Sequence, residues 1–298
     1  MSRDRTLPAA AESQHRVPFD GSFRVKRAPT GPPDDAPPKR EREERLEAAT
    51  LKLSELQRRL YAQDRFALLV VFQALDAAGK DGTLRAVFSG VDPAGCMVYS
   101  FKQPSNEELD HDFLWRTTMR LPERGRIGVF NRSYYEEVLV VRVHPEYLKH
   151  QKLPGTPDLD TLWQHRFDSI RDHERHLARN GTVIVKFWLN VSKEEQRARF
   201  IERIEEPEKN WKFAPADVRE RKHWDAYISV YEDALNETSR SWAPWYAIPA
   251  DSKSYMRMCV AEILVDTLDG LDLRYPEIDG DQQARAREMR AILEAEGS

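Results

Sequence analysis

Cysteine is almost absent. Cys96 and Cys259 are the only two in 298 residues, which excludes a disulfide framework and a multi-cysteine metal site, and both lie in apolar segments suited to buried thiols. Long apolar runs are missing as well: no stretch approaches the roughly 20 residues that cross a bilayer, and the opening MSRDRTLPAAAESQ lacks the apolar middle of a signal peptide. The sequence therefore reads as a cytoplasmic protein with no membrane partner. A basic excess is also lacking, with 46 Lys and Arg against 50 Asp and Glu and a net charge of −4. That balance argues against nucleic-acid binding through an overall positive field. A polyanionic ligand has to meet a local concentration of cations. There is no internal repeat.

What is present is organised around residues 66–83, FALLVVFQALDAAGKDGT. The apolar run over 67–72 suits a buried parallel strand, and it breaks into a small-residue turn ending in Gly79, Lys80 and Asp81. Such a turn aims backbone N–H groups and a lysine at the start of a helix, where the dipole also favours an anion. Ala77, Ala78, Gly79, Lys80, Asp81, Gly82 and Thr83 are accordingly candidate phosphate ligands. The pattern G-x-x-x-x-G-K-[ST] is incomplete, with Ala74 where the first glycine belongs and Asp81 where the metal-binding hydroxyl belongs. A strand and turn with a surface lysine is the plain alternative for the loop taken alone.

Taken in order, residues 1–40 are rich in proline and charge and predict a mostly disordered segment, with 19–25 able to dock on the domain. Over 41–64 an apolar stripe of Leu46, Ala49, Leu53, Leu56 and Leu60 predicts a helix lying against a sheet. A helix over 83–89 and a strand over 97–101 come next. Ser105 and Glu108 have capping-box spacing and predict a helix running through FLWRTTMR. A strand over 126–130 ends in Asn131, Arg132 and Ser133. Further elements are a helix over 161–179, a strand over 182–189 and a helix opened by Ser192. A basic segment over about 205–222 reads as a lid, and WYAIPAD forms a last strand, with Asp251 capping a helix over 252–268. Residues 277–298 are a polar tail. Strands alternating with helices predict an α/β fold with a largely parallel central sheet, and residues 41–276 form its domain.

Parallel α/β sheets bind ligands at the carboxyl ends of their strands. Two such ends carry phosphate chemistry here, the loop from Asp76 to Thr83 and the pair Asn131-Arg132, and with the basic lid they make the parts of a P-loop kinase. Several runs, LDAAGKDGT, SFKQPSNEELDHDFLWR, IGVFNRSYYEEVLVVRVHPE, NGTVIVKFWLNVSKEEQRARFIERIEEPEKNWKF and WAPWYAIPADSK, resemble the second type of polyphosphate kinase, the polyphosphate:nucleotide phosphotransferases. The resemblance spans residues 19–276. It implies a P-loop kinase-like three-layer sandwich with a helical lid, Mg²⁺ as cofactor with Mn²⁺ as its substitute, and a homo-oligomer. The implied partners are inorganic polyphosphate and the nucleotides AMP, ADP and ATP or their guanine equivalents.

By that resemblance Asp76 holds the metal, Lys80 binds phosphate and Arg132 follows the second motif. Asn131 stands where the family usually has aspartate, and Tyr135-Glu136-Glu137 replaces its usual aromatic-asparagine-arginine run. Both departures look like the subgroup acting on AMP and ADP. A nucleotide phosphate is already ionised, so no strong general base is needed and catalysis rests on alignment and charge neutralisation. Arg199 and Arg203, four apart on one helix face, and the lid cations Lys209 and Lys212 are candidates to follow the polyphosphate chain. Lys102, Arg116, Glu136 and Glu137 are candidates for the nucleotide. Asn131 also suits a helix cap, and Glu136 and Glu137 suit first-turn carboxylates. His173 and His176 have ligand-like spacing but no accompanying carboxylate pattern, and read as a solvated helix face. An ATP-dependent nucleoside monophosphate kinase shares the loop and lid, and a non-catalytic polyphosphate or nucleotide sensor is compatible with Ala74 and Asn131.

Overall fold

The apolar runs over 67–72, 126–130 and 182–189 become strands and the amphipathic stripe over 41–64 a helix packed on the sheet, whereas the apolar run over 138–143 forms a turn and a short helix. In chain order α1 (Lys39–Gln63) leads to β1 (Ala67–Ala74), α2 (Lys80–Phe88), β2 (Cys96–Ser100), two short helices α3 (Asn106–Leu109) and α4 (Trp115–Thr118), β3 (Ile127–Asn131) and α5 (Val140–Val143). Then come α6 (Leu159–Arg179), β4 (Thr182–Asn190), α7 (Lys193–Glu205), α8 (Pro215–Glu220), α9 (Trp224–Thr238), β5 (Trp245–Pro249), α10 (Lys253–Asp269) and α11 (Gly280–Glu296). The computed structural model describes residues 10–155 and 158–296. Residues 1–9 of the predicted N-terminal segment, 156–157 of the linker and 297–298 of the tail lie outside the described residues, as does the side chain of Lys212.

The five strands are all parallel, in the order β2-β3-β1-β4-β5. Because side chains alternate along a strand, central β1 sends Leu68, Val70 and Phe72 to one face, with Leu53 of α1, Val87 of α2 and Met256 of α10. Leu69 and Val71 go to the other, with Phe167 of α6, Tyr231 of α9 and Trp245. Burial on both faces explains why this strand reads as an unbroken apolar run. The stripe of α1 is turned inward beside α10. The result is the α/β fold with a parallel sheet that the alternation predicts, in the three-layer sandwich that the resemblance implies.

Local chemistry moved several boundaries. The capping box at Ser105 forms, with the Glu108 N–H donating to its hydroxyl at 3.2 Å and the Ser105 N–H donating to the Glu108 carboxylate at 2.8 Å. The helix it starts nevertheless stops at Leu109. Asp112 accepts from the Leu114 N–H at 2.9 Å, a local side-chain bond that competes with helix, and α4 starts afresh. Ser252, rather than Asp251, caps α10, while Asp251 accepts from the Ser192 N–H at 2.7 Å and ties the β5 junction to the β4 junction.

Residues 10–38 have almost no regular structure, as their prolines require, yet they lie against the body. The Val17 N–H donates to the Trp245 carbonyl at 2.9 Å and the Ala247 N–H to the His15 carbonyl at 2.8 Å, alongside β5. Val17 and Val25 are buried. Two well-placed valines and backbone pairing anchor what composition alone reads as unstructured.

One charged strand residue sits wholly inside. Lys186 of β4 donates to Glu174 of α6 at 2.6 Å, to the Tyr135 hydroxyl at 2.8 Å and to the Thr238 carbonyl at 2.9 Å. All three of its donors are thus matched, and the other Glu174 oxygen accepts from the hydroxyls of Tyr134 and Tyr135. Burial pulls this ammonium below the usual lysine range, and Glu174 opposes the shift. The network bolts the turn that follows β3 to the middle of the sheet.

Candidate active site

The loop after β1 turns through two left-handed residues, Ala77 at φ +60° and Gly79 at φ +104°. Gly79 suits the turn because its conformation disfavours any side chain, and a Cβ would also press on Met256 Cε at 3.1 Å. α2 begins at Lys80, three residues ahead of the predicted start, so the lysine occupies its first turn. Its Nζ donates to the Ala74 carbonyl at 2.8 Å, folding the chain back across the loop. Burial and then the nearby Arg132 charge lower its pKa, while Asp76, Glu136 and Asp81 oppose them. Thr83 is buried, and its hydroxyl donates to the Gly79 carbonyl at 3.0 Å, which fastens the helix start.

β3 pairs with β1 so that Asn131 lies opposite Phe72, which brings the second motif beside the loop. Arg132 is itself left-handed at φ +64°, an uncommon geometry for a non-glycine residue that marks a constrained site. Its guanidinium donates to Asp76 at 3.0 Å and lies 3.5 Å from Glu136. Glu136 and then Asp76 hold its charge firmly. Asn131 donates to Asp81 at 2.8 Å and to the Ser100 hydroxyl at 3.2 Å, so its amide orients the second loop carboxylate.

Asp76, Arg132 and Glu136 face a hollow of about 170 Å³, lined also by Tyr231 and closed on the lid side by Asp217, Glu220 and Arg221. Arg221 donates to Gln196, and Gln196 donates to the Asp76 carbonyl at 3.0 Å, a relay from lid to loop. Burial, then the Asp76 charge, raises the Asp217 carboxyl. The 3₁₀ turn Tyr134–Glu137 directs its two carboxylates apart. Glu137 is buried on a second hollow of about 130 Å³, where it accepts from Arg166 at 2.8 Å and from Gln151 at 2.7 Å. Arg116 lines that second hollow, donates to the Lys102 carbonyl at 2.8 Å and lies over the Phe101 ring. Lys102 itself is exposed and lines neither hollow.

Arg199 is turned inward, although its spacing pairs it with Arg203. It is buried, and it donates to the carbonyls of Ala77 and Ala78 at 3.1 and 2.8 Å, to those of Ala250 and Asp251 at 2.7 and 3.1 Å, and to Glu195 at 2.8 Å. It braces the back of the loop. Arg203 lies 3.8 Å from Asp217, and Lys209 is paired with Glu202 and Glu206. Two cations that the motif reading missed lie along α2, Arg257 beside its first turn and Arg85 in its last. Arg257 of α10 lies beside Gly82, and its pKa is lowered by burial and then by Arg199 and Arg85. Arg85 follows Lys80 on the same helix, and that proximity to the loop was the available signal.

A family model described as Polyphosphate kinase 2 (PPK2) matches residues 37–276, from the start of α1 to beyond α10. The chain belongs to the polyphosphate kinase 2 family. Among its relatives, an ADP-polyphosphate phosphotransferase of Rhodopseudomonas palustris is 54% identical over 251 residues, covering 84% of this chain and 87% of the relative. An AMP/ADP-polyphosphate phosphotransferase of Meiothermus ruber is 46% identical over 268 residues, covering 89% and 95%. The crystal structure of polyphosphate kinase 2 from Arthrobacter aurescens TC1 superposes with a TM-score of 0.85 at 36% identity, covering 96% of this chain and 99% of that one. The loop, both hollows and the lid all lie inside the matched residues.

Proposed function

We propose that this protein transfers the terminal phosphoryl group of inorganic polyphosphate to ADP or AMP. A terminal phosphate oxygen of the nucleotide attacks the last phosphorus of the chain. The bridging P–O bond breaks, and the shortened polyphosphate leaves with its electron pair. The observation that carries the reading is the meeting of Asp76 and Arg132 at 3.0 Å, beside Lys80 and the start of α2. Lys80 and Arg132 neutralise the phosphates, and the N–H groups at the start of α2 add dipole stabilisation. The acceptor oxygen is already ionised, so no general base is required.

The donor set fits Mg²⁺. Asp76 and Asp81 supply hard carboxylate oxygens, and one or two such groups plus substrate phosphates are its usual complement, which Mn²⁺ also accepts. Asp76, pinned by Arg132, would be the main holder and Asp81, oriented by Asn131, the second. When bound, the ion would screen the negative charge of the reacting phosphates. Arg257 and Arg85 extend the positive surface from the loop and are assigned to the polyphosphate chain, with Arg203 on the lid side. The second hollow, with Arg116, Gln151 and Glu137, offers hydrogen-bonding edges to the acceptor.

An acceptor panel of AMP, ADP, GMP and GDP with polyphosphate and Mg²⁺ tests the proposal; the expected result is product with AMP or ADP, and none with any acceptor refutes it. ATP plus AMP in polyphosphate-free buffer tests the competing donor, and tight binding without transfer is the signature of a sensor. Self-association is supported by the family resemblance, and a monomer in light scattering would end it.

A further inference from the structure

His144, Glu220 and His223 stand where the lid meets the body; His144 and Glu220 are on the wall of the hollow that Asp76 and Arg132 line, and the transfer described above gives the three no role. His144 follows α5, Glu220 ends α8 and His223 lies in the 3₁₀ turn that leads into α9. Among the described residues this is the one group in which three His, Cys, Asp or Glu ligand atoms lie within 4.8 Å of one another. His144 Nε2 is 2.5 Å from Glu220 Oε1, and its Nδ1 is 3.3 Å from Glu146. The Tyr227 hydroxyl donates to the same Glu220 oxygen at 2.7 Å, and the His223 ring stands edge-on to that of His144.

A neutral imidazole carries one N–H. It can serve only one of these two carboxylates; a protonated ring would serve both, and a metal ion held by Nε2 and Glu220 with Nδ1–H on Glu146 is the other arrangement that satisfies them. Two imidazoles and a carboxylate are the donor set of an open zinc site. Glu146 on the far ring nitrogen and Tyr227 on the carboxylate are the outer partners such a site uses. Mg²⁺ prefers oxygen alone, so the set is chemically distinct from the carboxylates at the loop. We propose that His144, Glu220 and His223 bind one transition-metal ion of the Zn²⁺ class, which pins the base of the lid to the body. Bonds of about 2.0–2.2 Å place tetrahedral ligand atoms about 3.4 Å apart, so side-chain shifts of about 1 Å close the site.

The test is a Co²⁺ titration of the chelator-treated full chain in excess Mg²⁺, followed by visible absorption and calorimetry. One Co²⁺ per chain should give the strong bands of a four- or five-coordinate ion and be displaced by Zn²⁺. His144→Ala and His223→Ala should each weaken binding at least about tenfold, and Glu146→Gln should weaken it less. Asp76→Asn should leave it unchanged. Absence of a one-equivalent site, binding that survives both histidine changes, or binding lost in Asp76→Asn would overturn the assignment. Circular dichroism checks that each variant is folded, and His144→Gln replaces His144→Ala if that one is not. Zn²⁺ should also slow amide exchange over 207–223 in the wild type; unchanged exchange in the Zn²⁺-bound protein would refute the pinning. These readouts do not depend on phosphotransfer, so they fail or succeed separately from the proposed activity.

Discussion

Replacing Arg199 with methionine separates a brace from a substrate ligand. The substitution keeps an unbranched chain of similar bulk and removes a guanidinium that serves four backbone carbonyls, two in the loop and two after β5. A buried acceptor left without a partner costs about 1–3 kcal/mol. The two loop carbonyls alone contribute about 2–6 kcal/mol of that cost, acting on Ala77 and Ala78. The loop relieves that cost by moving, and a misplacement of about 1 Å at the reacting groups lowers turnover by about 10²-fold. Steady-state rates against polyphosphate at several ionic strengths should therefore show kcat reduced by about that factor, with KM for polyphosphate within about threefold. Arg199→Lys should be impaired as well, since one ammonium cannot span both pairs of carbonyls. A KM raised about tenfold or more with kcat nearly intact would place Arg199 on the substrate and refute the argument.

Lys80→Ala should lower kcat/KM by about 10²-fold or more, as removal of a transition-state charge partner does, and activity within about threefold of wild type would exclude that role. Lys186→Met leaves Glu174 buried and unpaired, which should cost about 3–5 kcal/mol, whereas Lys186→Met with Glu174→Leu should recover most of it. At an unfolding entropy of about 0.6 kcal/mol/K for a chain of this size, the single change lowers Tm by about 5–8 °C, and equal losses in single and double variants would show that the pair is not the cause. Burial pushes the thiols of Cys96 and Cys259 up to about 12. At pH 8 the thiolate fraction is then about 10⁻⁴, so alkylation of the native protein should be on the order of 10³-fold slower than for a free cysteine. Fast labelling of either before unfolding would contradict this.

Features encoded locally were legible in the sequence. The run over 67–72 is apolar because both faces of β1 are covered, and the loop reads as a phosphate site because its chemistry lies in consecutive residues. The capping box at Ser105 is similarly short-range. Other features depend on which face a helix turns inward, and spacing cannot decide that. Arg199 and Arg203 share a helix face by periodicity, yet the loop carbonyls draw one inside and leave the other with Asp217. Glu136 and Glu137 are neighbours, yet they open onto different hollows. The histidines tell the same story. His173 and His176 had the suggestive spacing, but His173 packs edge-on against Tyr134, and the convergent pair is His144 and His223, brought together only by the fold.

The strap alongside β5 bears on how the protein can be trimmed. The family match starts at residue 37, which invites removal of everything before it. That cut would strip the His15–Val17 backbone from the outer side of β5 and open the cleft that holds Val17. An unpaired strand edge is a template for another chain. The shortened protein should therefore fail first by sticking to copies of itself, and a loss of solubility with the phosphate loop still intact would be the strap's signature.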